Sequence, residues 1–425
     1  MTRQRLLLGL VLGVGISFAP ACGDDDPAES DPTGERGDSG PPVVVTRDGG
    51  STLDATADAA RDLDATVILD AARPNDAAES SSADAAQDAA ADAAVYAPGT
   101  KEYSQSKLDP DMRLVIDALV ALGAKPIDTL TVEQARSQPT LKEAVQKVLT
   151  DQAESTEPEP VAKIEDRVIE VAGNDALPIR VYTPSGTGPF PVVVYFHGGG
   201  WVIATNDTYD SSARALANAS GAVVVAVEYR KGPEFKFAAA HDDAFGAYRW
   251  VLDNADELDG RANSVAVAGE SAGGNLAANV VLSARGVQVP LPVHALLIYP
   301  VTSTNLQSES YLEHANAIPL DAAAIPWFTE KYLNGDQDKS DYRINLVSAE
   351  LGGFSPTTII NAEVDPLRSD GLAFKDALLS ANVNVVQRTY QGVTHEFFGA
   401  GAAVADAKAA VTFAAERLKS DFVLP

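Results

Sequence analysis

The sequence predicts an α/β protein with an open, mostly parallel sheet of eight strands and helices on both faces. Strand-like runs alternate with helical patterns beyond residue 160, which is typical of parallel sheets. Several runs are continuous stretches of β-branched residues, as expected for strands buried on both faces. The predicted strands are 168–171, 179–182, 192–196, 222–229, 264–268, 295–299, 358–362 and 383–390.

Helical patterns lie between these strands, at 208–219, 240–254, 272–285, 369–381 and 402–419. A further helical region is predicted over 106–155, where apolar residues recur every three to four positions and Pro110 suits a first helical turn. Thr131 and Gln134 match a capping box for a second helix in this region. The segment 304–350 interrupts the alternation, and we expect it to be inserted over the edge of the sheet. The folded part is predicted to span 96–425.

The N-terminus has the pattern of an export signal. Arg3 and Arg5 precede an apolar run, 6–21, which is shorter than the roughly 20 residues of a membrane span. The small residues at its end stand directly before Cys22, the only cysteine. This arrangement resembles a bacterial lipoprotein signal, in which residues 1–21 are removed and Cys22 carries lipid. The alternative is an ordinary signal peptide with an incidental cysteine. The lipoprotein prediction places the protein outside the cytoplasm, anchored to a membrane and facing the periplasm or the cell surface.

The stretch that follows, 22–95, is predicted to be a disordered acidic linker. From 23 to 95 it holds 18 acidic and 4 basic residues, with almost no aromatic residues. Such a segment repels itself and cannot bury enough apolar surface to fold. Calcium binding by its aspartates is the alternative, although no calcium-loop pattern is present.

Composition excludes several classes of protein. A net charge of −28 argues against nucleic acid and anionic membrane surfaces as partners, since both require clustered Lys and Arg. One cysteine excludes a disulfide within the chain and a Cys-based zinc site, and five histidines leave little room for a His-rich metal site. No metal site is therefore predicted.

The first chemical motif is Gly269-Glu270-Ser271-Ala272-Gly273, between a predicted strand and a predicted helix. A serine in such a sharp turn has a strained backbone, and glycines two residues away on each side relieve the crowding. The hydroxyl is thrust out of the turn, and the N–H of Ala272 points into the same space. The helix N-terminus adds positive potential where an oxyanion would form.

The second motif is His197-Gly198-Gly199-Gly200-Trp201, after the apolar run 191–196. Consecutive glycines after a core strand indicate that the backbone approaches something closely. Their N–H groups can stabilise a developing negative charge, each by about 3–4 kcal/mol in the transition state. A phosphate loop would need patterns that are absent here. We expect His197 to brace the loop rather than act as a base.

The third motif is an acid and a histidine, each just past a predicted strand. Asp365 follows 357–364 and His395 follows 384–394, so serine, acid and histidine occur in that order. A serine hydroxyl needs a neutral imidazole to take its proton and a buried carboxylate to orient that ring. Glu363 and Asp370 compete with Asp365, but we expect Glu363 to lie inside the strand and Asp370 to cap the next helix. The remaining histidines at 241, 294 and 314 are interpreted as structural or surface residues.

Together these motifs resemble the hormone-sensitive lipase family of α/β-hydrolase esterases. The likeness covers about 100–420 and includes the motifs above, DPL at 365–367, H-x-F at 395–397 and the stretch YRKGPEFKFAAA at 229–240. The family often has glycine where this chain has Glu396, and leucine and alanine are commoner at Lys231 and Gly232.

The resemblance implies an α/β-hydrolase fold with Ser271 as nucleophile, His395 as general base and then acid, and Asp365 as the orienting acid. It implies an oxyanion hole built from the N–H groups of Gly198, Gly199 and Gly200 together with Ala272. Which two glycines donate is open, with Gly199 and Gly200 favoured. It also implies a helical cap, built from about 100–160 and 304–350.

The sequence therefore predicts a lipid-anchored serine carboxylesterase that acts on small, uncharged, short-chain esters and needs no metal or organic cofactor. An amidase, peptidase or sugar deacetylase could use the same three residues. A non-catalytic binding protein on the same fold is the alternative outside this class. Nothing in the sequence indicates an oligomeric state.

Overall fold

The computed structural model describes residues 96–422. The predicted signal peptide, the lipid attachment at Cys22 and the acidic linker lie outside these residues. Within 96–422, no helix combines the length and apolar character that a membrane span requires.

One eight-stranded sheet organises the described chain, in the order β1-β2-β4-β3-β5-β6-β7-β8. The pairings β1–β2 and β2–β4 are antiparallel, and the other five are parallel. The predicted mostly parallel sheet is confirmed, with differences of a few residues at strand ends. The strands are β1 Lys163–Val171, β2 Asn174–Thr183, β3 Phe190–Phe196, β4 Val223–Val227, β5 Gly260–Glu270, β6 Ala295–Ile298, β7 Thr357–Val364 and β8 Val385–Thr394.

Helices cover both faces of the sheet, as predicted from the doubly buried strands. The helices are α1 Lys101–Ser106, α2 Pro110–Ala121, α3 Val132–Ser137, α4 Leu141–Asp151, α5 Asp210–Ser220, α6 Ala239–Asp253, α7 Ala272–Gly286, α8 Glu309–Glu313, α9 Ala324–Tyr332, α10 Arg368–Ser380 and α11 Ala405–Asp421. Alternate side chains of β3 enter different cores: Val192 and Val194 pack with α6, α7 and α10, whereas Val193 and Tyr195 pack with α2, α4, α5 and α11.

The N-terminal helices begin where their capping residues predict. Pro110 is the first residue of α2. Thr131 and Gln134 form the predicted capping box at the start of α3, and Thr140 with Glu143 forms a second one at the start of α4.

The segment 304–350 does not cover the sheet edge, so that expectation was wrong. It connects β6 and β7, which are neighbours inside the sheet. The segment crosses the carboxyl ends of the strands, where Phe328 of α9 packs against Gly200, just after β3. The sequence showed the interruption but not which strands flank it in space.

Close packing between α7 and β3 depends on glycine. A Cβ on Gly273 would lie 2.0 Å from the carbonyl oxygen of Phe196 and 2.5 Å from that of His197. Both neighbours are backbone atoms at the end of a central strand, so they cannot move aside cheaply. The first turn of α7 therefore reaches the sheet only because position 273 has no side chain.

We expect Gly273→Ala to destabilise the protein by about 2–3 kcal/mol, because overpacking forces the helix away from the strand. The matched control is Gly286→Ala in the same helix, where a Cβ would meet nothing within 4 Å. Alanine there should be neutral or stabilising. Urea unfolding midpoints of the two variants test the comparison, and equal midpoints would contradict this packing account.

Candidate active site

The turn between β5 and α7 holds Ser271 in a strained conformation. Its backbone has φ 57° and ψ −119°, a region that non-glycine residues rarely adopt. The Ser271 N–H donates to the carbonyl oxygen of Ile298 at 2.8 Å, which ties the turn to β6. Ala272 is the first residue of α7, and a first-turn N–H has no acceptor within its own helix.

Ser271, His395 and Asp365 form a continuous hydrogen-bonded triad. The Ser271 Oγ lies 2.9 Å from His395 Nε2, and His395 Nδ1 lies 2.7 Å from Asp365 Oδ2. The second oxygen of Asp365 accepts the N–H of Leu367 at 2.8 Å. Asp365 is fully buried and His395 is 4% exposed. A carboxylate on Nδ1 holds the proton there and leaves Nε2 free to accept the serine proton.

Nearby carboxylates control the charge of His395. Burial opposes protonation of the ring, but the charge and hydrogen bond of Asp365 outweigh it and raise the pKa of His395 above its usual value. Glu396 and Glu270 add to this increase through their negative charge. The imidazolium formed during catalysis is therefore stabilised by more than one carboxylate.

The competing acids occupy other positions. Glu363 accepts the N–H of Gly392 at 2.8 Å, and neither it nor Asp370 bonds to His395. Asp370 was expected to cap a helix, which was wrong, because α10 already begins at Arg368. Its carboxylate instead accepts the N–H groups of Thr302 and Ser303 at 3.0 and 2.8 Å. Burial raises its pKa to about 7.

The glycine loop after β3 borders the serine. Gly199 and Gly200 have φ of 97° and 58°, and both line the same pocket as Ser271. The carbonyl oxygen of Gly199 accepts the N–H groups of Val202 and Ile203, which closes a tight turn. Among the hydrogen bonds found within 96–422, none uses the N–H of Gly199 or Gly200 as donor. Gly198 instead packs under Tyr209, whose hydroxyl would lie 2.3 Å from a Cβ there.

The other histidines are buried and hydrogen-bonded. His197 Nδ1 donates to the carbonyl oxygen of Gly198 at 2.7 Å, and its ring stacks on Tyr229 at 4.4 Å. Burial lowers the pKa of His197 to about 4, so the ring is neutral near pH 7. His241, His294 and His314 bond to neighbouring side chains, so the structural interpretation fits them and the surface one does not.

Glu270 is part of the site although the sequence analysis gave it no role. It is fully buried and accepts the hydroxyls of Tyr195 and Tyr299, and burial raises its pKa to about 7. The Tyr299 ring lies 4.5 Å from the His395 ring. The sequence did contain a signal for this role, namely a tyrosine at the end of each of two apolar strands. A buried tyrosine hydroxyl requires a hydrogen-bond partner, which Glu270 provides.

A pocket of about 280 Å³ opens at the triad of Ser271, His395 and Asp365. Ser271 and His395 line its base, and its walls are largely apolar. The N-terminal helices contribute Leu119 and Leu141, and the segment 304–350 contributes Ile318, Leu320 and Phe328. Both segments that the resemblance assigns to a cap therefore line the pocket.

Glu396 brings a carboxylate to this pocket beside His395. Its φ of 67° lies in the left-handed region, which explains why glycine suits this position. The Tyr209 hydroxyl donates to its Oε1 at 3.0 Å. The charge of Glu396 was evident from the sequence, whereas its hydrogen bond with Tyr209 was not.

The arrangement can perform acyl transfer. It contains a nucleophile, a base, a carboxylate that orients the base, and N–H groups next to the nucleophile. Within the described chain, no group of three or more His, Cys, Asp or Glu side chains is placed to hold a metal ion.

Comparison with known proteins identifies the family. Residues 193–399 match a family described as having the α/β-hydrolase fold. The chain is 42% identical to the carboxylesterase NlhH of Mycobacterium tuberculosis over 232 residues, which is 53% of this chain and 72% of that protein. It is 30% identical to an ethyl acetate hydrolase of Pseudomonas putida over 324 residues, 73% of this chain and 98% of that protein.

Solved structures agree with these relatives. A hyperthermophilic esterase from Pyrobaculum calidifontis matches with a TM-score of 0.68 at 35% identity, over 74% of this chain and 98% of that one. The chain thus belongs to the hormone-sensitive lipase family of α/β-hydrolase carboxylesterases, and it is a carboxylic ester hydrolase.

Proposed function

We propose that the protein hydrolyses small, uncharged, short-chain esters through an acyl-enzyme on Ser271. The observation that carries this proposal is the hydrogen-bonded triad at the base of a pocket. His395 lies 2.7 Å from Asp365 through Nδ1 and 2.9 Å from the Ser271 hydroxyl through Nε2. Each partner is the type that activates the next, and the three are buried together.

In the first half-reaction, Ser271 Oγ attacks the carbonyl carbon of the ester while His395 Nε2 takes the hydroxyl proton. The negative charge moves to the carbonyl oxygen, where the N–H groups of Gly199, Gly200 and Ala272 stabilise it. The intermediate then collapses, and His395 returns the proton to the departing alcohol. The acyl group remains on Ser271.

In the second half-reaction, His395 takes a proton from water as the water oxygen attacks the acyl carbon. The second tetrahedral intermediate uses the same N–H groups. Its collapse breaks the bond to Ser271 Oγ, His395 returns the proton to the serine, and the carboxylic acid leaves. Asp365 keeps its charge throughout and stabilises each imidazolium.

The dimensions and lining of the pocket support the substrate class. A cavity of about 280 Å³ with largely apolar walls suits a short acyl chain and a small alcohol. The Glu396 carboxylate beside His395 disfavours a negative charge close to the reacting carbonyl, since the two charges would repel each other.

We also propose that the protein is an exported lipoprotein held to a membrane through Cys22. The support comes from the sequence alone: a basic start, a short apolar run and a cysteine directly after small residues. A linker of 73 residues, 23–95, would give the enzyme considerable reach from its anchor.

We expect hydrolysis of p-nitrophenyl esters to be fastest with acetate or butyrate and to decline by octanoate, because longer chains exceed the pocket.

On the best ester, Ser271→Ala should lower kcat by about 10⁴-fold or more, since the nucleophile is removed. Initial rates measure both effects. Undiminished turnover by the alanine variant would refute the assignment, and a parallel series of amides and acetylated sugars tests the other uses of the triad.

Activity should fall as pH drops through the pKa of His395, because only the neutral ring accepts the serine proton. Glu396→Gln should move this acid limb to lower pH, because removing a nearby negative charge lowers the pKa of the ring. The control is Asp117→Asn, which removes the same charge from an exposed position on α2. Profiles of kcat/KM against pH measure the shift. An acid limb that stays in place in the Glu396 variant would count against this electrostatic role.

Replacement of Cys22 by serine should abolish incorporation of labelled fatty acid into the protein expressed in a bacterial host. The variant should move from the membrane fraction to the soluble exported fraction, because lipid is the proposed anchor. Gel autoradiography of both proteins provides the measurement. Persistent labelling of the serine variant would rule out Cys22 as the attachment site.

A further inference from the structure

One guanidinium group joins the N-terminal helices to the loop that holds the oxyanion donors. Arg136, on α3, donates from Nε to the carbonyl oxygen of Val202 at 2.9 Å and from Nη2 to that of Gly232 at 2.7 Å. Its terminal nitrogens also bind both carboxylate oxygens of Glu234, at 2.8 and 2.7 Å. Three separate groups are thereby fixed by a single planar side chain.

Val202 belongs to the turn that orients Gly199 and Gly200. The carbonyl oxygen of Gly199 accepts the N–H of Val202 at 3.0 Å. The neighbouring carbonyl oxygen, of Trp201, accepts the N–H of Gly232 at 2.8 Å. Two successive carbonyl groups of the turn are thus bound from outside it. Arg136 binds the carbonyl oxygen of Val202 directly. It also binds the carbonyl oxygen of Gly232, the residue whose N–H donates to Trp201.

Helix α9 also restrains the loop. Phe328 packs so closely on Gly200 that a Cβ there would lie 2.2 Å from the phenyl ring. The ring restrains the loop by contact, while Arg136 restrains it by directed hydrogen bonds. The loop is therefore restrained by two side chains, Arg136 and Phe328, that also line the substrate pocket.

We propose that Arg136 is a positioning residue for the oxyanion loop, which aligns the N–H groups of Gly199 and Gly200 with the carbonyl oxygen of the substrate. This inference rests on the proposed function. Misplacement of a group by about 1 Å can reduce catalysis about 100-fold, so indirect alignment of the donors has a large effect on rate.

Arginine suits this role in a way that lysine does not. The guanidinium presents its donors in a rigid plane, so Val202, Gly232 and Glu234 are bound at once in fixed directions. The Arg136 side chain is 32% exposed and that of Glu234 is 53% exposed, so the ion pair contributes little to stability. We therefore expect Arg136 to act mainly through the orientation of the turn.

Four variants separate alignment from stability: Arg136→Ala, Arg136→Lys, Glu234→Gln and, as control, Arg180→Ala. Arg180 pairs with Asp166 and Asp207, both at 2.6 Å, and lines no part of the substrate pocket. The measurements are kcat and KM on a p-nitrophenyl ester, the melting temperature, and rescue of the alanine variant by guanidinium ion at non-denaturing concentration.

Arg136→Ala should lower kcat about 10- to 100-fold while KM changes less than about threefold, because the lost interaction acts in the transition state. Guanidinium ion should restore part of the lost rate. Arg136→Lys should recover little of it. Glu234→Gln should stay within about threefold of wild type, because both carbonyl contacts remain, and Arg180→Ala should stay within about twofold.

Several results would overturn the proposal. An unchanged kcat with a raised KM would assign Arg136 to substrate binding. Equal losses of kcat in Glu234→Gln and Arg136→Ala would show that the ion pair, and not the contacts with the two carbonyl groups, aligns the loop. If the alanine variant does not fold, Arg136→Lys decides: full kcat would refute the proposal, and reduced kcat at an unchanged melting temperature would support it. An inactive wild-type enzyme would instead refute the proposed function.

Discussion

The backbone at Ser271 is the constraint on which the site depends. A φ of 57° outside glycine costs on the order of 1–3 kcal/mol, so the surrounding structure must hold it in place. The bond from Ser271 N–H to Ile298 and the tight contact of Gly273 with β3 supply that support. The strain presents the hydroxyl to His395 at 2.9 Å. Ala272 follows directly as the first residue of α7, so its N–H has no acceptor within that helix. One local conformation thus places the nucleophile beside the N–H that we propose as an oxyanion donor.

The imidazole of His395 lies among carboxyl groups that are themselves held in place. Asp365 binds the ring directly, Glu270 is held by two tyrosine hydroxyls, and Glu396 is held by Tyr209. The negative charges of Asp365 and Glu396 favour the imidazolium that forms at each proton transfer, and Glu270, whose pKa burial raises to about 7, adds to this effect when it is ionised. Because these groups are held by hydrogen bonds before substrate binds, little reorganisation is needed during the reaction.

The sequence predicted the fold and the triad geometry from local signals. Strand-like runs, several of them continuous and β-branched, located all eight strands, and the positions of Ser271, Asp365 and His395 just past strand ends predicted that they meet at the carboxyl ends of the sheet. The contacts of Arg136 and Phe328 with the glycine loop could not be predicted, because they join segments 66 and 128 residues apart in the chain. The carboxylate of Asp370 was misassigned for a similar reason, since Thr302, which binds it, lies 68 residues earlier in the chain, after the neighbouring strand β6. Local periodicity carries no information on such pairings.

The most direct test of the account is a crystal structure of the enzyme inactivated by a small alkyl fluorophosphonate, which mimics the tetrahedral intermediate. The account predicts phosphorus bonded to Ser271 Oγ and one phosphonyl oxygen about 2.7–3.1 Å from the N–H groups of Gly199, Gly200 and Ala272. His395 Nε2 should remain within hydrogen-bond distance of Oγ. Phosphorus on another residue, or a phosphonyl oxygen pointing away from those N–H groups, would contradict it.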